Sequence, residues 1–314
     1  MKDNDIKIDL HIHSNNSDGT YTTQQLLDIL EEKGADYISF TDHDSVDCYY
    51  DIINGRAKLY SGVTLIPGIE FSCKEDNCLR DILGYGISIP YVENYLRNKY
   101  SHENRLRKQQ LILENLKSIC RNKALEFDES ICVKDGKKAE GFIVMSNELN
   151  RYPSNIERFP FIANNIDFYW NHFSKRDSDF FVDATFDLPD FKEVVNVIHE
   201  SGGLACLAHP FVYGISETAV DMLVEKAVKA GIDGIELKHT SNIKSHITKI
   251  REYAKKYNLV YSGGTDFHGA TKPHLELITG YGNIQVNYNE VKSLINKINK
   301  KYTSKDINKL LETQ

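Results

Sequence analysis

Histidine and aspartate alternate with aliphatic residues near the start of the chain. Asp9, His11 and His13 occupy every second position of the stretch IDLHIH (residues 8–13), and Asp18 follows five residues later. Alternate residues of a strand lie on the same face. Two imidazoles on one buried face would be costly unless a partner satisfied them. The spacing therefore indicates a metal ion whose other ligands lie elsewhere in the chain.

Imidazole and carboxylate side chains recur where later predicted strands end. Together with the first strand, they give these candidate metal ligands: His11, His13, Asp18, His43, Glu70, His209, Asp266 and His268. Such donors suit Zn, Mn or Fe, and they are too many for one ion, so we expect two or three divalent ions. A cluster of this kind lowers the pKa of a bound water and stabilises the attacking and leaving oxygens of a phosphoryl displacement. The pattern therefore favours phosphoester hydrolysis.

Each motif taken alone also has an ordinary structural explanation. An HxH pair on one strand is a weak signal, and Glu70 could cap a helix. The stretch TDHD (41–44) could be a turn with a capping aspartate, and AHP (208–210) could be a packed strand end. The order of the motifs favours a shared metal centre, because each one follows at the carboxyl end of a predicted strand.

Helices and strands alternate in two regions of the sequence. In the first, a helix that starts at Thr22 or Thr23 and stops at Gly34 leads into the strand-like stretch YISF. Residues 65–72 and 82–89 have the composition of further strands. In the second region, from about residue 189, three helix–strand pairs follow one another. Such alternation predicts parallel βα units, which hold their chemistry at the carboxyl ends of the strands.

The alternation stops between residues 100 and 188, where a basic amphipathic helix and an aromatic-rich stretch with Trp170 take over. We predict that this segment is a mostly helical inserted domain that serves as a lid or binds substrate. The α/β domain would then comprise residues 1–99 and 189–288. Residues 289–314 would form C-terminal helices.

The composition is that of an ordinary soluble protein, with 26% charged and 41% hydrophobic residues in a chain of 314. A net charge of −7 gives no support to a general nucleic-acid coat. The sequence has no apolar run of the signal-peptide type and none near the roughly 20 residues that span a bilayer. We therefore expect a cytoplasmic protein with no membrane partner. The six cysteines show no CxxC pair and are expected to be reduced thiols.

Five longer motifs follow in order along the chain: DLHIHSNNSDGT, FTDHD, PGIEFS, LAHP and GTDFHG. They resemble the motifs of the PHP family, the polymerase-and-histidinol-phosphatase metallophosphoesterases. The resemblance extends over residues 7–98 and 189–285. It implies an α/β fold, a distorted seven-stranded (β/α) barrel with up to three metal ions at the carboxyl ends of the strands.

The resemblance also implies how the ligands are shared among the ions. It implies one ion held by His11, His13, Glu70 and Asp266, a second held by Glu70 as a bridge and by His209, and a third held by Asp18, His43 and His268. Members of this branch of the family usually carry a further histidine, a ligand of the second ion, just before ILGY. This chain has Asp81 there, and a carboxylate oxygen would favour Mn or Mg over Zn.

Other side chains are candidates for supporting or substrate roles. Asp42 and Asp44 could orient His43 or could cap the turn. The insertion is placed as in the branch of the family that cleaves nucleotides, which includes AMP phosphatases, 3′,5′-nucleoside bisphosphate phosphatases and 5′-to-3′ exonucleases. Arg105 and Arg107 could bind phosphate through their guanidinium groups, or could lie on a solvated helix face.

His239 could contact phosphate or protonate the leaving group, and Asp44 is the second candidate catalytic side chain. We predict a hydrolase of phosphoric ester bonds in which a metal-activated hydroxide attacks phosphorus. The favoured substrate is a nucleoside monophosphate or 3′,5′-bisphosphate. The alternatives are a 5′-to-3′ exonuclease on short oligonucleotides, a histidinol-phosphate phosphatase, a non-catalytic metal-binding module and, with a poorer fit, an amidohydrolase. Mn is the favoured ion, and Zn, Fe or Mg are alternatives.

Overall fold

The computed structural model describes residues 6–76, 78–137 and 139–299. The described residues form two compact units. Unit 1 takes in the described residues from 6 to 95 and from 188 to 299, and unit 2 takes in those from 96 to 187. The described α-helices are, in chain order, α1 (Thr23–Lys33), α2 (Asp47–Ile53), α3 (Ile89–Lys99), α4 (His102–Asn122), α5 (Glu140–Leu149), α6 (Pro153–Arg158), α7 (Asn165–Asp167), α8 (Phe191–Glu200), α9 (Glu217–Ala230), α10 (Lys244–Tyr257) and α11 (Tyr288–Asn299).

Unit 1 contains the strands, which form two sheets. The first has the order β1 (Ile8–Ile12), β2 (Tyr37–Phe40), β3 (Thr64–Leu65), and the second has the order β4 (Gly68–Glu75), β5 (Cys78–Tyr85), β6 (Leu204–Leu207), β7 (Gly234–Lys238), β8 (Val260–Gly263). Pairing is parallel in the first sheet and from β6 to β8, and antiparallel between β4, β5 and β6. The mixed α/β class predicted from the sequence is confirmed.

The antiparallel pairing of β5 with β4 and β6 differs from the parallel βα units that the sequence predicted. Strand β4 ends at Glu75 and β5 begins at Cys78. This connection is too short for the crossover helix that a parallel pair requires, so the two strands pair as a hairpin.

The resemblance implies a distorted seven-stranded barrel, but the described strands form two sheets that do not close into a barrel. Among the described residues, the backbones of the two sheets pair at isolated bridges, Ile12 with Phe267 and His43 with Glu70. The backbone leaves the extended conformation at the residues next to these bridges, with φ of 47° at Asp44 and 57° at Asp266. Left-handed residues interrupt the extended backbone of a regular ladder, so pairing at these two places is limited to single bridges. Those points bring the predicted ligands of both sheets together.

Local sequence explains the first helix, as predicted. Thr22 caps α1 by accepting a hydrogen bond from the Gln25 backbone N–H, while the Gln25 side chain accepts one from the Thr22 N–H. Gly34 ends the helix with φ of 68°. The helix buries Leu26 and Leu30, so α1, which follows His11 and His13 in the sequence, is packed into unit 1.

Helix α11 belongs to the core of unit 1. Its Leu294 and Ile295 are buried in a cluster with Ile8 and Leu10 of β1. A helix was predicted in this part of the chain, and its apolar face supports the strand that carries His11. The rest of the predicted C-terminal helical segment, residues 300–314, lies outside the described residues.

The regular elements described in unit 2 are helical and pack around a core of their own. Leu113 and Leu116 of α4, Met145 of α5, Phe168 and Phe180 are all buried in it. The role of this unit as a lid or substrate domain stays a prediction. In the described part of the chain, every helix is too short or too polar to cross a membrane.

Candidate metal centre

The predicted ligands of unit 1 converge from both sheets. His11 lies in β1 and His13 directly beyond it, while Glu70 lies in β4. His209 follows β6, and Asp266 follows β8. The isolated bridges of Ile12 with Phe267 and of His43 with Glu70 bring the two sheets together beside these residues, so side chains far apart in sequence become neighbours.

Glu70 is the centre of the cluster. Its Oε2 atom lies 3.2 Å from both His11 Nε2 and His13 Nε2, and 3.4 Å from His43 Nε2. Its Oε1 atom lies 2.9 Å from His209 Nε2. The two oxygens of one buried carboxylate therefore contact different imidazoles, which is the arrangement that a carboxylate bridging two cations needs.

Three sets of side chains each offer ligand atoms within 4.8 Å of one another: His11, His13, Glu70 and Asp266; His13, Asp18, His43 and His268; and His43, Glu70 and Asp81. The first set has the composition expected for one ion. The second adds His13 to the residues expected for the third ion. The third set contains Asp81, His43 and Glu70. His209 is not in this set, but it contacts Glu70.

The charges of the cluster suit divalent cations. Burial lowers the pKa of His11, but the carboxylates of Glu70 and Glu236 outweigh it and raise that pKa well above the ordinary value. Burial also lowers the pKa of His209, yet its hydrogen bond with Glu70 raises it to about 9. The imidazoles in turn outweigh burial and hold the pKa of Glu70 well below its usual range. Without a cation, protons on the imidazoles balance the negative charge of the buried carboxylates. Divalent cations bound to the same nitrogen and oxygen atoms would balance that charge instead.

Glu236 is a buried member of the site that the sequence analysis missed. Its Oε1 lies 2.9 Å from His11 Nδ1, and its Oε2 accepts a hydrogen bond of 2.9 Å from the backbone N–H of His209. With Nδ1 held in this way, His11 Nε2 is left 3.1 Å from His13 Nε2, so two imidazole nitrogens point to one place. The available signal was a glutamate inside the otherwise apolar strand stretch GIEL.

Asp266 and His239 contact each other beside the first ligand set. His239 Nε2 lies 3.1 Å from Asp266 Oδ2, and His239 Nδ1 lies 2.7 Å from Ser241 Oγ. The Lys272 ammonium pairs with the same Asp266 oxygen and lies 3.1 Å from the Asp266 carbonyl oxygen. Burial lowers the pKa of His239.

Asp42 holds the loop that follows β1. Its Oδ1 accepts hydrogen bonds from the Ser14 N–H (2.7 Å) and the Ser17 hydroxyl (2.6 Å), and its Oδ2 accepts one from the Ser14 hydroxyl (2.7 Å). These contacts favour the turn-stabilising alternative for Asp42. Asp44 donates its backbone N–H to the Glu70 carbonyl (2.9 Å) and accepts from the Ser72 N–H (3.3 Å). A catalytic role for Asp44 stays a prediction.

The two candidate arginines lie on α4 in unit 2, and both are exposed. The Arg105 guanidinium donates a hydrogen bond of 2.6 Å to the Tyr100 carbonyl oxygen. The expectation that Arg105 and Arg107 bind phosphate stays a prediction.

A mixed α/β fold with a buried cluster of imidazoles and carboxylates at its strand ends is typical of metal-dependent hydrolases. Residues 9–155 match the model of the PHP domain. A phosphoribosyl 1,2-cyclic phosphate 1,2-diphosphodiesterase of Eggerthella lenta is 29% identical over 83% of this chain and 94% of its own length. A 5′-3′ exoribonuclease of Escherichia coli is 26% identical over 83% of this chain and 84% of its own length.

Two further proteins are similar in sequence or fold. A 3′,5′-nucleoside bisphosphate phosphatase of Chromobacterium violaceum is 22% identical over 83% of this chain and 87% of its own length. A solved structure from Bifidobacterium adolescentis, described as a metal-dependent phosphoesterase, has the same fold with a TM-score of 0.60 and 18% identity, over 93% of this chain and 96% of that one. The predicted resemblance to the PHP family of metal-dependent phosphoesterases is confirmed. The prediction of a hydrolase that acts on phosphoric ester bonds is confirmed.

Proposed function

We propose that this protein hydrolyses a phosphate ester of a nucleotide, with a nucleoside 3′,5′-bisphosphate or monophosphate as the leading substrate. The observation that carries the proposal is the Glu70 carboxylate, whose two oxygens contact separate imidazoles in a buried cluster. The substrate class is supported by the relatives, since each is named for action on a phosphate ester of ribose or of a nucleoside.

We assign the cations to side chains as follows: His11, His13, Glu70 and Asp266 for the first; Glu70, Asp81 and His209 for the second; Asp18, His43 and His268 for a third. Mn²⁺ is the favoured ion. Bound there, divalent cations would supply Lewis acidity and neutralise charge on a phosphoryl group.

The substrate reaches the cluster from one side in this proposal. The side chains of His11, His13 and Glu70 are buried, whereas those of Asp18 and His43 are 40% and 28% exposed. A phosphate group would therefore approach at Asp18 and His43. The buried members hold their positions away from water, which strengthens electrostatic interactions with a bound phosphate.

His239 is better suited to orient Asp266 than to protonate a leaving group. Its lowered pKa leaves the ring neutral at neutral pH, because burial disfavours the imidazolium. A neutral ring can donate its Nε2 proton to Asp266 Oδ2, 3.1 Å away, and hold that carboxylate in place. The guanidinium groups of Arg105 and Arg107 remain the candidates for a second phosphate.

The second candidate is a 5′-to-3′ exonuclease on short oligonucleotides, which the 26% identity to the exoribonuclease favours. Cytoplasmic action on a small phosphorylated molecule is part of the proposal in both cases. The test incubates Mn²⁺-loaded protein with a nucleoside 3′,5′-bisphosphate, a nucleoside monophosphate, histidinol phosphate and a short RNA.

Release of inorganic phosphate from the bisphosphate or the monophosphate, with RNA left intact, is the expected result. Stepwise release of mononucleotides from RNA would favour the exonuclease instead. Folded protein that cleaves none of these substrates with any divalent metal would refute the proposal and favour a non-catalytic module. The His11→Ala variant provides the control for contaminating phosphatases.

A further inference from the structure

Tyr213 holds the carboxylate that replaces the expected histidine. Its hydroxyl donates a hydrogen bond of 3.0 Å to Asp81 Oδ2 and accepts one of 3.0 Å from the Asp81 backbone N–H. The phenol thus bonds to the side chain and the main chain of the same residue. This double contact fixes both the position of β5 at Asp81 and the rotation of its carboxylate.

The ring of Tyr213 is itself held from two sides. The Arg80 guanidinium carbon lies 4.4 Å from its centre, a cation–π contact, and the His209 ring lies 5.7 Å away in an edge arrangement. Tyr213 therefore connects the strand that carries Asp81 to the loop that carries His209. These are the two residues assigned, with Glu70, to the second cation.

The two carboxylate oxygens of Asp81 have different partners. Oδ2 is engaged by the phenol, while Oδ1 lies 3.5 Å from the Ser72 hydroxyl. Asp81 also offers a ligand atom within 4.8 Å of those of His43 and Glu70. A carboxylate held in this way can give a cation one oxygen in a fixed direction, which is what Mg²⁺ and Mn²⁺ take more readily than Zn²⁺ does.

We propose that Tyr213 is a positioning residue that fixes Asp81 as an oxygen ligand of the second cation, and that this pair sets the preference of that position for Mn²⁺ or Mg²⁺ over Zn²⁺. The inference rests on the proposed metal centre. Tyr213 acts through Asp81, to which its hydroxyl is hydrogen-bonded.

The test compares three variants with the wild-type protein. Tyr213→Phe removes the hydroxyl and keeps the ring on Arg80, and Asp81→Asn removes the charged ligand. Tyr253→Phe is the matched control, because the Tyr253 hydroxyl also donates to a carboxylate, Asp221 (2.6 Å), but on two helices outside the cluster. Mn²⁺ binding is followed by electron paramagnetic resonance without substrate, and Zn²⁺ competes in a second series. Thermal melting verifies that each variant is folded.

We expect Tyr213→Phe to weaken the second Mn²⁺ site by roughly 10- to 100-fold, as loss of a residue that orients a ligand does. The first site and the Tyr253→Phe variant should keep wild-type affinity, and Tyr213→Phe should lose part of its preference for Mn²⁺ over Zn²⁺. Wild-type binding by Tyr213→Phe, or by Asp81→Asn, would overturn the inference, as would a wild-type protein that binds a single ion.

The same experiment separates this inference from the proposed function. A wild-type protein that binds Mn²⁺ at two sites but cleaves no phosphate ester would refute the function and leave the role of Tyr213 measurable. A protein that cleaves nucleotides, and whose Tyr213→Phe variant binds both ions normally, would refute only the inference.

Discussion

Replacement of Glu236 by glutamine tests whether the cluster holds cations through an orientated His11. The glutamate accepts two hydrogen bonds of 2.9 Å, one at His11 Nδ1 and one at the backbone N–H of His209. Glutamine has the same shape as glutamate, but only one of its two terminal atoms, the amide oxygen, accepts hydrogen bonds. Its NH₂ group would face either His11 Nδ1–H or the His209 N–H, so one of the two hydrogen bonds is lost.

The size of the effect follows from these contacts. A hydrogen bond to a charged group contributes about 1.5–3 kcal/mol, and about 1.4 kcal/mol corresponds to a tenfold change in affinity. Losing one such bond to Glu236 should therefore weaken binding of the first cation by roughly 10- to 100-fold, the range seen when residues that orient metal ligands are changed. Turnover should recover at saturating Mn²⁺, because the ligands themselves remain.

The assay measures phosphate release from a nucleoside 3′,5′-bisphosphate across a Mn²⁺ titration, together with direct Mn²⁺ binding. The control is Asp233→Asn, since Asp233 Oδ2 also accepts from one imidazole, His199 (2.8 Å), and one backbone N–H, that of Ala205 (2.9 Å), outside the cluster. The Asp233 variant should keep the wild-type activation constant. An unchanged activation constant in Glu236→Gln would show that Glu236 does not support a metal ligand.

Other predictions concern the ligands themselves. His11→Ala and Asp266→Ala should each abolish phosphate release by folded protein, as verified by circular dichroism, because each removes a donor of the first cation; normal turnover in either would count against the assignment. Asp81→His should shift the metal profile of turnover toward Zn²⁺, because imidazole suits Zn²⁺ better than a carboxylate oxygen does; an identical profile would mean that Asp81 is not a ligand. Since the pKa of His209 is about 9 without a cation, Mn²⁺ must displace its proton below that pH, so the affinity for the second cation should rise roughly tenfold per pH unit from pH 6 to 8; calorimetry that shows no pH dependence would contradict this.

The side chains of the cluster that belong to compact motifs could be predicted from the sequence. His11 and His13 alternate with aliphatic residues, and His209 and Asp266 directly follow apolar strands. Their types and their places at strand ends are local properties, so a single sequence carries them. Their convergence on Glu70 followed from the rule that such strand ends lie together.

Other features depend on pairing across the chain and could not be predicted in the same way. Glu236 lies inside a strand, and only the approach of β1 reveals its contact with His11. The contact between Tyr213 and Asp81 joins residues 132 positions apart. The sheet order, with a hairpin between β4 and β5 and no closed barrel among the described strands, is likewise set by long-range hydrogen bonding that local periodicity does not specify.

Divalent cations between these side chains would be seen by anomalous diffraction from crystals of the Mn²⁺-loaded protein. We expect one anomalous peak among His11, His13, Glu70 and Asp266, and a second beside Glu70 Oε1 and His209, each about 2.0–2.3 Å from its ligand atoms. Fully loaded crystals with no peak between these residues, or with peaks only elsewhere on the protein, would contradict this expectation.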